Sequence, residues 1–198
     1  MKITQDHWLE PVHRELIAGG SPMTIRRFLV VHHTAGASGQ SSIDYWRTLT
    51  SGVCAHLVIE RDGSVIQCRP FNRTCGHAGR STWHDGDSQY TNLNSCSIGI
   101  ELANAGDDKG ALSWARKQPG FRSVTMRHKN GGPLTEWECY PSAQLAACEM
   151  VSKLLVERYN LDDLIGHEDI APSRKTDPGP AFPMANLRVA CNFPAMIG

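Results

Sequence analysis

Residues 166–179 read GHEDIAPSRKTDPG, and three of them could share one piece of chemistry: His167, Lys175 and Asp177. Imidazole nitrogen and carboxylate oxygen are both zinc donors, and a catalytic zinc takes three protein donors and keeps a position open for water. His32, at the end of the apolar run Phe28–Val31, is the candidate third donor, because a strand end can hold a side chain rigidly at the mouth of a cleft. Two neutral imidazoles and one carboxylate would leave the ion a net positive charge, which acidifies water beside it. Lys175 lies two residues before Asp177, so in extended chain the two side chains point to the same side. A cation and a metal ligand could then face one pocket. On spacing alone, the loop can equally be a polar surface turn and His32 a satisfied structural residue.

The elements that would position these groups follow from patterning. Phe28–Val31 is a continuous apolar run enriched in β-branched residues and reads as a buried strand ending at His32-His33. A short helix capped by Ser41 or Ser42 follows. Residues 55–59 and 64–68 flank Arg61-Asp62-Gly63 and predict a hairpin. Ser97–Leu102 is a further strand, with Glu101 one residue before its end. Residues 72–94 are glycine-rich and polar, and residues 104–136 are irregular with a short helical piece near 111–117, so both read as loop regions beside a site. Leu145, Cys148, Val151 and Leu155 recur at helical spacing and predict a helix over 142–159, ending near Asn160. Leu164-Ile165-Gly166 then delivers His167. The order of strands and helices predicts an α/β fold in a single domain covering 1–198.

Composition removes several classes of function. Twenty Lys+Arg balance twenty Asp+Glu in 198 residues, so there is no basic footprint for nucleic acid. No apolar run approaches the roughly eighteen residues that suggest a membrane span. The N-terminal MKITQDHWLEPVHREL lacks the apolar region of a signal peptide, which favours a cytoplasmic protein. Seven scattered cysteines form no CxxC pair, and the odd count favours free thiols in a reducing compartment. A monomer is the default.

Five segments in order carry a resemblance: LVVHHTA (29–35), CAHLVIERDGSVIQCRPF (54–71), GHAGRS (76–81), NSCSIGIEL (94–102) and GHEDIAPSRKTDPGPAF (166–182). Over about 26–182 the chain resembles the zinc-dependent N-acetylmuramoyl-L-alanine amidases of the type-2 amidase family, which also includes phage amidase-type lysozymes and animal peptidoglycan recognition proteins. The resemblance implies a central mixed β-sheet flanked by helices, with a Zn2+ site in a cleft at strand ends. It places the metal on His32, His167 and Asp177, oxyanion stabilisation on Lys175 and acid/base catalysis on Glu101. It also implies hydrolysis of the amide between the lactyl group of N-acetylmuramic acid and L-alanine, in peptidoglycan or anhydro-muropeptides. His77 then faces substrate, and Arg80 and Arg174 are candidates to meet stem-peptide carboxylates.

Trp83, Trp114 and Trp137 are candidates to stack on a sugar ring. His33 is assigned to packing or to support of the site, His56 to structure, His84 and His128 to the surface, and Glu168 and Asp169 to no catalytic role. Two alternatives are a non-catalytic peptidoglycan-binding module, which would show a broken ligand set, and a zinc peptidase cutting within the stem peptide. In biological role, a muropeptide-recycling enzyme and an endolysin released through a holin are both compatible with the segments.

Overall fold

The computed structural model describes residues 1–50 and 52–195. Three two-residue strands open the chain: β1 (Lys2–Ile3), β2 (Leu9–Glu10) and β3 (His13–Arg14). Next comes β4 (Phe28–His33), every residue of which is buried. Helix α1 (Gly39–Thr48) starts earlier than Ser41 or Ser42 would have it. Ser38 is the cap: its hydroxyl accepts from the Ser41 amide, and the Ser41 hydroxyl accepts from the Ser38 amide, both at 3.1 Å. Several serines in succession make the first turn ambiguous in sequence. Packing decides it, because a Cβ on Gly39 would lie 2.4 Å from Val58 Cγ1.

Strands β5 (Leu57–Ile59) and β6 (Val65–Gln67) form the predicted hairpin. The polar stretch 72–94 is not all loop. It carries a second hairpin, β7 (Thr82–Asp85) with β8 (Ser88–Thr91), before a 3-10 turn leads into β9 (Ser97–Leu102). Helix α2 (Lys109–Ala115) begins two residues before its predicted start, capped by Asp108, whose carboxylate accepts from the Ala111 amide at 2.8 Å. A third hairpin follows, β10 (Ser123–Arg127) with β11 (Leu134–Glu138), within the stretch whose composition marks it as irregular. These two hairpins are largely exposed: only β10 alternates polar with apolar, through Val124 and Met126, and neither of those is buried, so the pattern by which a half-buried strand is recognised is short and isolated.

The chain ends with α3 (Ser142–Tyr159), β12 (Asp163–Gly166), α4 (His167–Ile170) and α5 (Met184–Ala190). Helix α3 stops where predicted, with Asn160 left-handed at φ 49°.

Six strands form the main sheet in the order β12-β4-β9-β5-β6-β3. The first four are mutually parallel, β6 runs antiparallel to β5, and β3 adds a parallel edge from a segment without any strand pattern. Alternation sorts the side chains. Leu29 and Val31 of β4 join Leu57, Ile98, Ile100 and Leu102 under α3, which brings Cys148, Val151 and Leu155. Phe28 and Val30 face the opposite side, with Ala78, Leu93 and Ile165. On that side α1 covers the neighbouring strands with Ile43 and Trp46. The result is the α/β fold with a mixed sheet flanked by helices. Period-two alternation sends His32 to the face of Val30, away from α3.

Candidate metal centre

His32 is the fifth residue of β4 and is paired in parallel register with Glu101 of β9. Registered neighbours on adjacent strands share a face, so the imidazole and the carboxyl stand side by side at the C-terminal ends of two buried strands. The next strand on the other side of β4 is β12, which ends at Gly166 and hands the chain to His167 at the start of α4. Ten residues on, Asp177 returns to the same point, and the Glu168 amide donates to its carbonyl at 2.8 Å. Three separate segments therefore converge above one sheet edge.

The convergence is close. His32 Nδ1 lies 2.9 Å from His167 Nδ1 and 3.0 Å from Asp177 Oδ2, and His167 Nδ1 lies 2.9 Å from the same oxygen. All three residues are buried. Burial, reinforced by the facing His167 ring, lowers the pKa of His32 to about 4. Burial works against the Asp177 carboxylate, yet its contacts with His167 and His32 outweigh that effect and hold its pKa well below the ordinary range. At neutral pH His32 is thus neutral and Asp177 ionised, the forms that ligation requires. Two imidazole nitrogens and one carboxylate oxygen within contact of one another are the donor set of a catalytic zinc, and the His32, His167 and Asp177 set fits that ion.

The set lies on a cleft of about 730 Å³ that is also lined by His77, Glu101, Arg174 and Lys175. Glu101 is half-buried and one of its carboxylate oxygens is enclosed without a partner. Burial and the nearby Asp177 charge push its pKa well above the usual carboxylate value, opposed in part by Lys175.

The second nitrogens of the two histidines are also committed. His167 Nε2 donates to the Ala78 carbonyl at 3.1 Å, and His32 Nε2 lies 2.9 Å from His77 Nδ1. His77 is itself buried, and burial with the neighbouring His32 and His56 rings keeps its pKa well below the usual value. Its ring spends at least one nitrogen on His32, a contact that GHAGRS does not reveal.

Arg174 lines the cleft and donates through Nη2 to the carbonyls of Ala78 and Arg80, at 3.0 and 2.8 Å. Arg80 is exposed and lines, again with Arg174, an adjoining groove of about 800 Å³ outside the metal cleft.

The remaining histidines divide. His33 accepts from the Ala35 amide at 3.1 Å and packs against Gly106, where a Cβ would lie 2.3 Å from its ring. His56 accepts from the Gly99 amide at 3.0 Å and donates to the Arg73 carbonyl at 2.8 Å, a structural use of both nitrogens. His84 is exposed. His128 is a correction: it is 7% exposed and donates to Glu168 Oε2 at 2.7 Å. Its partner lies 40 positions away, beyond the reach of any local pattern. Glu168 also accepts from Lys129 at 2.8 Å and from the Gly179 amide at 3.1 Å, and so ties the ligand loop together. Of the tryptophans, Trp137 is 2% exposed, with its indole donating to the Met126 carbonyl. Trp83 packs against the Phe28 cluster, and Trp114 stays partly exposed beneath Arg61.

Comparison with known proteins gives the same reading. The family profile described as N-acetylmuramoyl-L-alanine amidase matches residues 21–180. The 1,6-anhydro-N-acetylmuramyl-L-alanine amidase AmpD of Escherichia coli (strain K12) is 34% identical over 142 residues, covering 69% of this chain and 57% of AmpD. The N-acetylmuramoyl-L-alanine amidase AmiD of the same organism is 31% identical over 171 residues, covering 81% of this chain and 51% of AmiD. The chain thus spans little more than half the length of the curated relatives it matches. Among solved structures, E. coli AmiD in complex with the substrate anhydro-N-acetylmuramic acid-L-Ala-D-γ-Glu-L-Lys superposes with a TM-score of 0.63 at 28% identity, over 90% of this chain and 62% of that one. A selenomethionine AmpD derivative superposes at 0.64 and 24% identity, over 94% and 97%, and supports the fold. With the profile spanning most of the chain and an intact donor set in the cleft, the chain belongs to the N-acetylmuramoyl-L-alanine amidase family.

Proposed function

We propose that the protein is a zinc-dependent amidase that hydrolyses the bond between the lactyl carbonyl of N-acetylmuramic acid and the α-nitrogen of L-alanine. The observation that carries this reading is the buried His32, His167 and Asp177 set with Glu101 in register beside it and Lys175 on the same cleft. Held by that set, zinc would supply Lewis acidity to the scissile carbonyl and lower the pKa of water.

The chain's own groups do the rest. Glu101 takes the proton of the attacking water and passes a proton to the departing amine, so that one carboxyl serves both halves of the hydrolysis. Burial beside Asp177 raises the pKa of this carboxyl well above the usual range, so it holds a proton taken from water more readily than an ordinary glutamate would. The water oxygen adds to the carbonyl carbon, the carbon–nitrogen bond breaks, and the products are a free lactyl carboxylate and an intact stem peptide. Lys175 meets the negative charge that develops on the carbonyl oxygen, the point at which a cation lowers the barrier. Arg174 and Arg80, which line the adjoining groove, are our candidates to meet stem-peptide carboxylates.

An intact donor set together with Glu101 and Lys175 favours catalysis over a binding module. The substrate bound to AmiD, an anhydro-muramoyl peptide, supports muropeptides as the class. The test is mass spectrometry of muropeptides and of intact sacculi digested side by side. Intact stem peptide plus peptide-free sugar is the expected outcome, and the better of the two substrates separates recycling from lysis. A shortened peptide still attached to muramic acid would mean a stem peptidase instead.

A further inference from the structure

We propose that His77 is a positioning residue for the metal centre: its Nδ1 holds the His32 imidazole in the tautomer that leaves His32 Nδ1 free to ligate. The inference rests on the metal-centre reading above and goes beyond it by giving His77 a role directed at the ligand, not at substrate.

The direction of the hydrogen bonds is fixed from the far end. Ser97 is fully buried, and its hydroxyl donates to the Leu93 carbonyl at 2.6 Å. With that proton committed, the Ser97 oxygen faces His77 Nε2 at 3.2 Å as an acceptor. The Ser97 carbonyl, 3.4 Å from the same nitrogen, can also only accept. Nε2 is therefore the protonated nitrogen of a neutral His77, and Nδ1 carries the lone pair. That lone pair faces His32 Nε2 at 2.9 Å, so His32 bears its proton on Nε2. Nδ1 of His32 is then left bare, directed at His167 Nδ1 and Asp177 Oδ2.

The other histidine is fixed in the same way by the next residue. The Ala78 carbonyl accepts from His167 Nε2 and leaves His167 Nδ1 for the ion. Two consecutive positions of one loop thus set both ligand tautomers before any metal arrives. Space for the His77 ring is made by Gly99, where a Cβ would lie 2.6 Å from His77 Cγ.

Partners of this kind typically change metal affinity by about 10–100-fold. The experiment compares zinc affinity, by chelator competition on metal-stripped protein, for wild type, His77→Leu and His77→Asn. Asparagine can place Oδ1 where the acceptor Nδ1 stands. His77→Leu is expected to bind zinc about 10–100-fold more weakly, with His77→Asn returning to within about threefold of wild type. NMR of the zinc-loaded wild type should show a slowly exchanging His32 Nε2 proton, retained in His77→Asn and exchanging rapidly in His77→Leu. Gly99→Ala, which displaces the ring without removing it, should weaken zinc in the same direction and covers the case in which His77→Leu does not fold.

If wild type binds zinc and a folded His77→Leu binds it equally well, this inference falls and the metal centre stands. If His77→Asn is as weak as His77→Leu while both melt like wild type, the hydrogen bond is not what His77 supplies. A wild type that takes up no zinc overturns the metal centre itself.

Discussion

Glu101 carries a carboxyl whose surroundings oppose its ionisation from two sides, by enclosure and by the Asp177 charge. In the metal-free protein the consequence for stability has a definite sign. The folded pKa lies above the unfolded value of 4.5, so the folded chain binds the proton more tightly. The stability due to that proton is complete below the unfolded pKa and is lost as pH rises through the folded one. Glu101→Gln mimics the neutral acid. Stripped of metal, it is expected to melt increasingly above wild type as pH is raised from the unfolded value of 4.5 towards the folded pKa. Scanning calorimetry across that range measures the gap, and a flat difference would mean that the carboxyl ionises freely. The same variant should keep its zinc yet lose about 10²–10⁴-fold in turnover. At this scale spacing alone leaves residues 166–179 open as a polar turn, and it is the resemblance that singles out five residues; the structure brings His32, His167 and Asp177 together, with Glu101 and Lys175 on the same cleft. The tasks of His77 and Ser97 left no trace in the sequence, because they depend on which ring nitrogen meets which neighbour.

The β10–β11 hairpin shows what an element can do unseen. It reaches the ligand loop through His128, whose Nδ1 accepts from the Asn130 amide at 3.0 Å and whose Nε2 therefore donates to Glu168. Asn130 adds a bond to the Glu168 carbonyl at 3.0 Å, and Tyr140, just beyond the hairpin, donates to the Pro178 carbonyl at 2.7 Å. The hairpin thus braces the segment between two zinc ligands. His128→Ala removes one donor from a buried carboxylate, a loss of about 1–3 kcal/mol. For a chain of this size that is a fall of roughly 2–12 °C in melting temperature, with zinc affinity weakened in parallel. A surface histidine would change stability by no more than about 0.5 kcal/mol, so thermal melts separate the two cases. Gly179 belongs to the same brace: its φ is +79°, and a Cβ there would lie 2.6 Å from Trp137. The hairpin escapes sequence reading because the alternation of Val124 and Met126 in β10 covers only five residues and β11 does not repeat it, while the sheet strands and α3 declare themselves by burial.

Across the whole molecule the seven cysteines are free thiols, five of them buried. Burial raises Cys68 and Cys148 to about 12, whereas a hydrogen bond from Cys75 draws Cys54 down to about 7. Acidity without access gives little reactivity, since Cys54 is 1% exposed. A thiol reagent such as DTNB is therefore expected to label Cys96 and Cys139, which are half-buried, quickly in the native protein, and all seven cysteines in denaturant. Rapid native labelling of Cys54 would show that the α1 side of the sheet opens. Among the described residues no helix is long and apolar enough to cross a membrane.

The place of β4 in the sheet has a consequence for synthesis. Its two neighbours, β9 and β12, both follow it in the chain, the second more than a hundred residues later. A ribosome therefore releases Phe-Leu-Val-Val long before anything can pair with both of its edges. Until β12 arrives the strand is an open apolar edge, the kind that templates association with other chains. The segment that closes this edge also delivers His167 and Asp177. A nascent or prematurely terminated chain is thus both sticky and without its ligand set, and one late segment cures both faults together.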